Sequence, residues 1–430
     1  MIKTVRDAWQ IPELRRKILF TIFALLIFRL GAAIPVPYIN TSGLETYLSA
    51  QSGTILGLMN AMSGSAFSMA TLFALSIQPY INSSIIIQLL TVAIPALERL
   101  QKEGGEEGRK KIAAITRYVT VAIGLLQGFG YYTLIRSYDA TTPMLDTAGL
   151  PGWGAAIVII LCFTAGSAFV MWLGEQITEF GIGNGISIIL FAGILSRVPS
   201  MVSSMVSGLK AGTLAWWAAV LVVIGILALI VLITWVNGAE RRIPVQYAKR
   251  VVGRRIMGGQ STYLPIKVNT AGVIPIIFAS AILYLPAQLA VFFPGVGWVQ
   301  AFAGALSSGW INWILNVVLI VFFAYFYTSM VFNPEDTAEN LKKQGGFIPG
   351  FRPGRPTAEF LSKVLSRLTF FGAIYLGIVA ILPIIAENIS GIVNISIGGT
   401  SVIIVVGVAL ETVKMIEAQM LMRHYKGFLE

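Results

Sequence analysis

The run LAWWAAVLVVIGILALIVLITWV at residues 214–236 decides the fold class of this chain. It contains no charged residue, and it is long enough for a helix to cross a hydrocarbon core of about 30 Å. A basic segment, residues 237–267, follows directly with seven Lys and Arg residues, and a second one, residues 333–367, holds six. Long apolar runs beside concentrated positive charge are typical of a polytopic membrane protein.

The composition of the whole chain indicates the same class. Charged residues make up 12% of the 430 residues and hydrophobic residues 56%, with a mean hydropathy of +0.78. A soluble domain has about a quarter charged residues. The single cysteine, Cys162, excludes a disulfide within the chain, and the single histidine, His424, excludes most zinc and haem ligand sets. We therefore expect no metal site and no cofactor.

Ten apolar runs approach the length of a membrane span, which predicts an all-α fold with ten transmembrane helices. They are residues 18–37, 70–95, 114–135, 153–173, 182–199, 214–236, 271–293, 309–332, 368–386 and 399–416. Pro79 interrupts the second run, and Pro275 and Pro286 interrupt the seventh. Irregular backbone at membrane depth is tolerated only where protein buries it or water reaches it, so these breaks predict a cavity.

The distribution of Lys and Arg predicts the orientation in the membrane. The two terminal segments, residues 98–111 and the two basic segments fall on one side and hold 26 Lys and Arg residues, whereas the opposite loops hold only Arg136, Arg197 and Lys210. Because basic loops stay in the cytosol, both termini and both basic segments are expected there.

Residues 54–69 are apolar and small, and as a helix they would reach only about 24 Å. They fall on the outer side, where the residues alone leave two possibilities open. The segment is either an interfacial helix or a re-entrant segment that dips back among the helices.

Signals of an enzyme are absent from the sequence. It has no HExxH or GxSxG motif, and Gly181-Ile182-Gly183-Asn184-Gly185 lacks the strand and the Lys-Ser/Thr pair of a phosphate loop. Arg29, Arg117 and Glu411 are the candidate ionisable groups in or near the apolar runs, and they form no carboxylate pair. We expect no catalytic residues, so a partner must supply any energy.

The two basic segments are long, aromatic and marked by proline, with Gly253 at a predicted hairpin turn. Such surfaces suit an acidic protein face or RNA phosphates. Cytosolic retention alone is the alternative explanation, although it accounts for the charge and not for the length.

Motifs along essentially the whole chain resemble those of the SecY family, the channel subunits of the bacterial protein translocase. They are FRLG at 28–31, IPVP at 34–37, PYI at 79–81, IIIQLL at 85–90, WLGEQITE at 172–179, GIGNG at 181–185, YAKR at 247–250, AGVIP at 271–275, NP at 333–334, PGFRPG at 349–354 and GGTS at 398–401. The resemblance implies two pseudo-symmetric five-helix halves, residues 1–199 and 200–430, around a pore. Unfolded pre-proteins would pass through this pore, and apolar segments would leave it sideways into lipid.

The resemblance also implies roles for single residues. Six ring positions would form an apolar constriction: Ile77, Ile81, Ile186, Leu190, Ile277 and Ile404. The segment 54–69 would be a plug, with Thr54, Leu56, Leu58, Met59, Met62, Gly64 and Phe67. Runs 70–95 and 271–293 would form a lateral gate, whose polar residues Asn82, Ser83, Ser84, Gln88 and Asn269 would hold it shut by mutual hydrogen bonds. Arg352 would couple to a motor, and Lys249, Arg250, Arg254 and Arg255 would lie where motor and ribosome dock.

The partners implied by the resemblance are the SecE and SecG subunits, the SecA ATPase, and the ribosome with its RNA and proteins at the exit tunnel. Signal peptides, nascent chains and membrane lipids complete the set, and the expected location is the bacterial plasma membrane. Two other functions stay open at this point: a secondary transporter built from inverted repeats, and a scaffold that recruits ribosomes.

Overall fold

A computed structural model describes most of the chain. The described residues are 2–41, 43–44, 60, 63–102, 104–139, 145, 151–212, 215–247, 250–252, 255–257, 261–292, 296–307, 309–390 and 399–426. They form a mostly helical bundle with a small β-structure on its basic side.

The first half of the chain is helical throughout its described elements. These are α1 Ile2–Gln10, α2 Pro12–Gly31, α3 Gln78–Ala93, α4 Pro95–Lys102, α5 Gly105–Asp139, α6 Gly152–Phe180, α7 Gly185–Leu195 and α8 Val198–Lys210. Proline stands in the first turn of α2, α3 and α8, where its missing N–H leaves no hydrogen bond unmade.

The second half contains helices and the strands of the basic segments. The elements are α9 Trp216–Gly238, β1 Glu240–Tyr247, β2 Arg250–Val252, β3 Arg255–Met257, β4 Ser261–Lys267, α10 Ile274–Phe292, α11 Gly297–Ser307, α12 Gly309–Val331, α13 Pro334–Lys343, β5 Gly346–Phe347, α14 Arg355–Ser390 and α15 Gly399–Lys426. Pairing of Val252 with Arg255 confirms the hairpin predicted around position 253.

Six helices of the described residues are long and apolar enough to cross a membrane, and a seventh span results if α3 and α4, bent by 105°, are taken together. Each of the ten predicted runs contains described helical residues, but several of these helices are shorter than a span. The count of ten transmembrane helices therefore stays a prediction.

The break predicted in the second run lies where α3 begins. Residues 63–77 are turns and one bridge, and only from Gln78 does the chain become helical. Three non-glycine residues in this stretch, Ser65 (φ 71°), Ala70 (φ 44°) and Ser76 (φ 49°), have left-handed backbone. Such backbone cannot continue a helix, so Pro79 stands in the first turn of a shortened one.

The largest apolar core lies where the two halves meet. Its buried side chains come from α2, α3, α6 and α7 of the first half and from α9, α10, α12, α14 and α15 of the second. Between helices surrounded by lipid, close packing replaces the hydrophobic effect as the main attraction. Among the described residues, the first and second parts of the chain thus meet in this core through side-chain packing.

The two basic segments are joined in one structure, which we call the basic platform: β1, β4, β5, α13 and the first turns of α14. Strand β1 pairs with β4 in a ladder that begins with the pair Glu240 and Lys267. It also pairs with β5, where Gln246 lies opposite Phe347. A common apolar core fills the space between them, formed by Ile243, Val245, Ile266, Leu341, Ile348, Leu361 and Leu365. The sequence analysis identified two basic segments without predicting this contact between them, and the structure joins them in one platform.

Candidate functional site

The six aliphatic positions singled out from the sequence converge on the core between the halves. Ile77 precedes α3, Ile81 lies in it, and α7, α10 and α15 supply the others. Four of the six are buried, at 0–7% exposure: Ile77, Ile81, Leu190 and Ile404. The remaining two, Ile186 and Ile277, are half-buried and pack against the same cluster. Residues separated by more than 300 positions in the chain thus meet in one place.

Small residues and a helix cap bring α6 and α7 together beside these positions. The Asn184 side chain accepts hydrogen bonds from the backbone N–H groups of Ile186 (3.0 Å) and Ser187 (3.4 Å), which starts α7. A Cβ at Gly174 of α6 would lie 3.4 Å from Ile77 and 3.6 Å from Ile186. The helix α6 therefore forms a wall directly behind two of the six positions.

A cavity of about 580 Å³, which we call the vestibule, borders this cluster. Five of the six aliphatic positions line it: Ile81, Ile186, Leu190, Ile277 and Ile404. Its other lining residues include polar and charged side chains: Tyr80, Ser84, Gln88, Asn184, Ser187, Asn237, Asn269, Thr270, Tyr327, Lys267, Glu411 and Lys414. The lining of the vestibule thus combines a cluster of aliphatic side chains with many polar ones.

The helix α15 contributes lining residues of both kinds. Ile404, Val408, Glu411 and Met415 all line the vestibule, and their spacing places them on one face of the helix. Glu411 stands seven residues after Ile404, a rise of about 10 Å at 1.5 Å per residue. Charged lining residues of α15, Glu411 and Lys414, therefore stand about two to three helical turns from Ile404.

The polar residues assigned to a lateral gate differ in their surroundings. Ser84 and Gln88 of α3 and Asn269 before α10 line the vestibule, whereas Asn82 and Ser83 are buried elsewhere. The Oε1 atom of Gln88 is buried without a hydrogen-bond partner among the described residues.

The described hydrogen bonds of these residues do not join the two halves as the sequence interpretation expected. The hydroxyl of Ser83 bonds to that of Thr120 (2.5 Å), and Asn269 donates to Asn237 (3.0 Å) and to the Gly272 carbonyl (3.2 Å). The described bond of Ser83 thus lies within residues 1–199, and those of Asn269 lie within residues 200–430. Sequence reasoning missed Thr120 and Asn237, since a lone polar residue in an apolar run does not reveal its partner.

Half of the segment 54–69 lies outside the described residues, including Thr54, Leu56, Leu58, Met59 and Met62. Its end is anchored in the fold. Phe67 is buried and stacks on Tyr131 of α5 at 4.4 Å, and the Tyr131 hydroxyl donates to the Phe67 carbonyl. Just beyond, the Val36 N–H donates to the Ala70 carbonyl (3.0 Å), and the Leu72 N–H donates to the Ile34 carbonyl (2.9 Å).

Gly64 lies in a narrow space between α2 and the end of α7. Its φ is +67°, and an added Cβ would lie 2.6 Å from Ser196 Oγ and 2.9 Å from an Arg29 guanidinium nitrogen. Arg29 donates a hydrogen bond to Ser196 at 2.9 Å. The sequence analysis noted Arg29 as an ionisable residue in an apolar run without predicting this contact.

The predicted docking residues lie on or near the basic platform. Arg352 is exposed on the loop before α14, where its carbonyl accepts a hydrogen bond from Thr357 (2.8 Å) and its neighbour Phe351 stacks on Phe360 at 4.2 Å. Arg250 and Arg255 belong to the paired strands β2 and β3. Lys249 and Arg254 lie outside the described residues.

One ion pair links two of the membrane helices. The Arg117 Nε donates to Glu175 Oε1 at 2.9 Å, between α5 and α6. The described residues contain no group of three His, Cys, Asp or Glu side chains that could hold a metal ion.

Comparisons with known proteins identify the family and the fold of this chain. A family model described as SecY matches residues 71–413. The protein translocase subunit SecY of Streptomyces galbus is 46% identical, with all of both chains aligned, and that of Thermus thermophilus is 43% identical over all of this chain and 98% of its own. A solved structure of a protein-conducting channel shares the fold with a TM-score of 0.68 at 18% identity, and Sec61 from the canine ribosome–channel complex of the endoplasmic reticulum with 0.64, each covering 96% of both chains.

Proposed function

Because this chain belongs to the SecY family, we propose that it forms the channel of a bacterial protein translocase, through which unfolded pre-proteins cross the plasma membrane. Hydrophobic segments leave the same channel sideways into lipid. The names of the relatives favour this function over a secondary transporter or a ribosome-recruiting scaffold.

The observation that carries the mechanism is the meeting of Ile81, Ile186, Leu190, Ile277 and Ile404 in the lining of the vestibule. Aliphatic side chains offer water and ions no hydrogen bonds, so a narrow collar of them excludes both by dewetting. An extended polypeptide can displace such side chains, because they are held by packing alone. The collar therefore seals the resting channel and fits closely around a moving chain.

A plug on the outer side adds a second seal. Segment 54–69 acts as this plug, and its described end is anchored at Gly64 and Phe67. The division into halves 1–199 and 200–430 supplies the opening motion, since their contact in the central core is a contact of side chains. Separation of α3 from α10 then opens the vestibule to lipid, so signal peptides and other apolar segments of a nascent chain can leave there.

The basic platform serves as the docking surface in the cytosol, where both termini also lie. Arg352 contacts the SecA motor, which supplies the energy for export, and Arg250 and Arg255 with Lys249 and Arg254 meet either the motor or ribosomal RNA and proteins. Positive charge on an exposed sheet and loop suits phosphates and acidic protein surfaces. SecE and SecG are the expected small subunits of the complex.

Photocrosslinking tests the channel function directly. A photoreactive residue at Ile81 or Ile404 is expected to label a stalled secretory chain, because both side chains belong to the collar. Leu227 of α9, which is 57% exposed, serves as the control and is expected to label lipid. Labelling of the stalled chain from Leu227 but from neither collar position would overturn the proposal.

A further inference from the structure

The hydrogen bond between Asn269 and Asn237 stands at the junction between the basic platform and the helix α10. Asn237 lies at the end of α9, and Asn269 lies between β4 and α10. The Asn269 side chain is 8% exposed, and its Nδ2 donates to Asn237 Oδ1 at 3.0 Å and to the Gly272 carbonyl at 3.2 Å. Both residues line the vestibule.

The direction of this bond follows from its surroundings. The oxygen and nitrogen atoms of an asparagine amide can often be exchanged without a steric clash, so the hydrogen-bond partners must decide their assignment. Here one end of the Asn269 amide faces two oxygen atoms, one of which is a backbone carbonyl that can only accept. Asn269 is therefore the donor, and Asn237 is the acceptor.

The bond continues the ladder of the β-hairpin into the membrane helices. Glu240 pairs with Lys267 at the root of β1 and β4, and the Val268 N–H donates to the Ala239 carbonyl at 3.0 Å just beyond it. The Asn269–Asn237 bond is the next cross-link in this series. It joins the end of α9 to the segment that leads into α10.

The same segment is enclosed from another side by α14. A Cβ at Gly372 would lie 2.9 Å from the Val268 carbonyl and 3.7 Å from the Asn269 Cα, so only glycine permits this approach. Since α14 also carries Leu361 and Leu365 of the platform core, the platform and the start of α10 are packed as one body. The helix begins at Ile274, and its Ile277 belongs to the aliphatic collar.

We propose that Asn237 is a positioning residue of the channel: its bond to Asn269 transmits displacement of the basic platform to α10, and thereby couples docking to the opening of the vestibule. This inference rests on the proposed function. A motor that tilts the platform moves α10 most effectively while every contact at the root of the hairpin is made. Without the Asn237 acceptor, the junction is held by the Val268–Ala239 bond and the packing of α14, so a smaller part of the displacement reaches α10.

The test compares Asn237→Asp with Asn237→Leu in the assembled channel. Aspartate keeps an oxygen acceptor, so export, SecA binding and resting conductance are expected to stay within about twofold of the parent. Leucine has a similar size but no acceptor. SecA binding should then be unchanged, while ATP-driven export falls about fivefold, the factor that a typical hydrogen bond contributes to an equilibrium. The double variant Asn237→Asp with Asn269→Asp places two carboxylates together, so its ATP-driven export should be lower still.

A second background separates coupling from general damage to the fold. With Ile81→Asn and Ile404→Asn the collar is hydrated and export depends less on movement of α10, so Asn237→Leu should have little effect there. An equal loss in both backgrounds, or equal export by Asn237→Asp and Asn237→Leu, would overturn the inference. Failure of the parent channel itself to export would instead contradict the proposed function.

Discussion

The collar and the basic platform both bury isoleucine and leucine, but they hold these side chains in different ways. In the platform, Ile243 is fixed by a backbone ladder that pairs it with Leu264. In the collar, Ile81 and Ile404 come from α3 and α15 of different halves and meet through side-chain packing. A hydrogen-bonded sheet moves as one body, whereas packed side chains can separate and meet again. The difference fits the roles proposed above, force transmission by the platform and gating by the collar.

The largest expected effect tests the platform as the receiver of force. Arg352→Glu reverses the charge of an exposed side chain and should lower ATP-driven export at least about tenfold, because a like charge at a docking contact is repulsive. Export into membrane vesicles with SecA and ATP measures it. Assembly with SecE and SecG should be unchanged, since an exposed charge seldom decides folding.

A charge reversal elsewhere on the platform provides the control for Arg352→Glu. Lys363→Glu changes the net charge equally on the exposed face of α14 and should leave most of the export in place. Equal export by Arg352→Glu and the parent would remove Arg352 from the docking surface.

The next prediction tests the collar as a seal. Ile81→Asn with Ile404→Asn should hydrate it and raise the open population about tenfold, for a shift of about 1–2 kcal/mol. Resting ion conductance in liposomes should rise, and proteins with defective signal sequences should be exported. Ile→Leu at both positions is the matched control and should do neither. Lower export of every substrate at background conductance would mean that these side chains do not line a pore.

A smaller effect is expected from shortening the plug. Deletion of residues 57–62 should raise resting conductance and leave a folded channel, because Phe67 and its stacking on Tyr131 are retained. Deletion of residues 57–67 should also raise conductance but lower thermal stability, since it removes the buried Phe67 ring as well. A channel that lacks residues 57–62 and conducts no more than its parent would contradict the plug assignment.

The smallest effect compares the two regions with one chemical change. Ile243→Val and Ile81→Val each remove one methylene group from a buried side chain, at a cost of about 0.5–1.5 kcal/mol. In the platform this should lower the thermal midpoint slightly and leave conductance unchanged. In the collar, Ile81→Val should raise the resting conductance slightly. Its thermal midpoint should change by about as much as that of Ile243→Val. Conductance that responds equally to both substitutions would erase the distinction between the regions.

The position of α3 shows how far the sequence reaches. Pro79 predicted a break in the second apolar run, and the helix does start beside it, at Gln78. The hairpin at Gly253 was predicted from its turn and strand pattern in the same manner. Both features depend on neighbours within a few positions in the chain, where backbone sterics and hydrogen bonding act directly.

Contacts between distant residues were beyond such reasoning. The union of the two basic segments depends on the pairing of β1 with β5, about a hundred residues apart, and Asn269 bonds to Asn237 rather than to a partner across the gate. Nothing local distinguishes an asparagine that bonds to the preceding helix from one that bonds to the opposite half.

The sequence by itself determined the membrane class, the positions of most helices and the side on which positive charge collects. These properties follow from the transfer of each residue between water and lipid, which sums along the chain. The tertiary structure alone decided which aliphatic side chains meet at the vestibule and what each polar group bonds to. Lipid tails are as apolar as leucine, so a helix that is apolar all round carries no mark of the face it will pack.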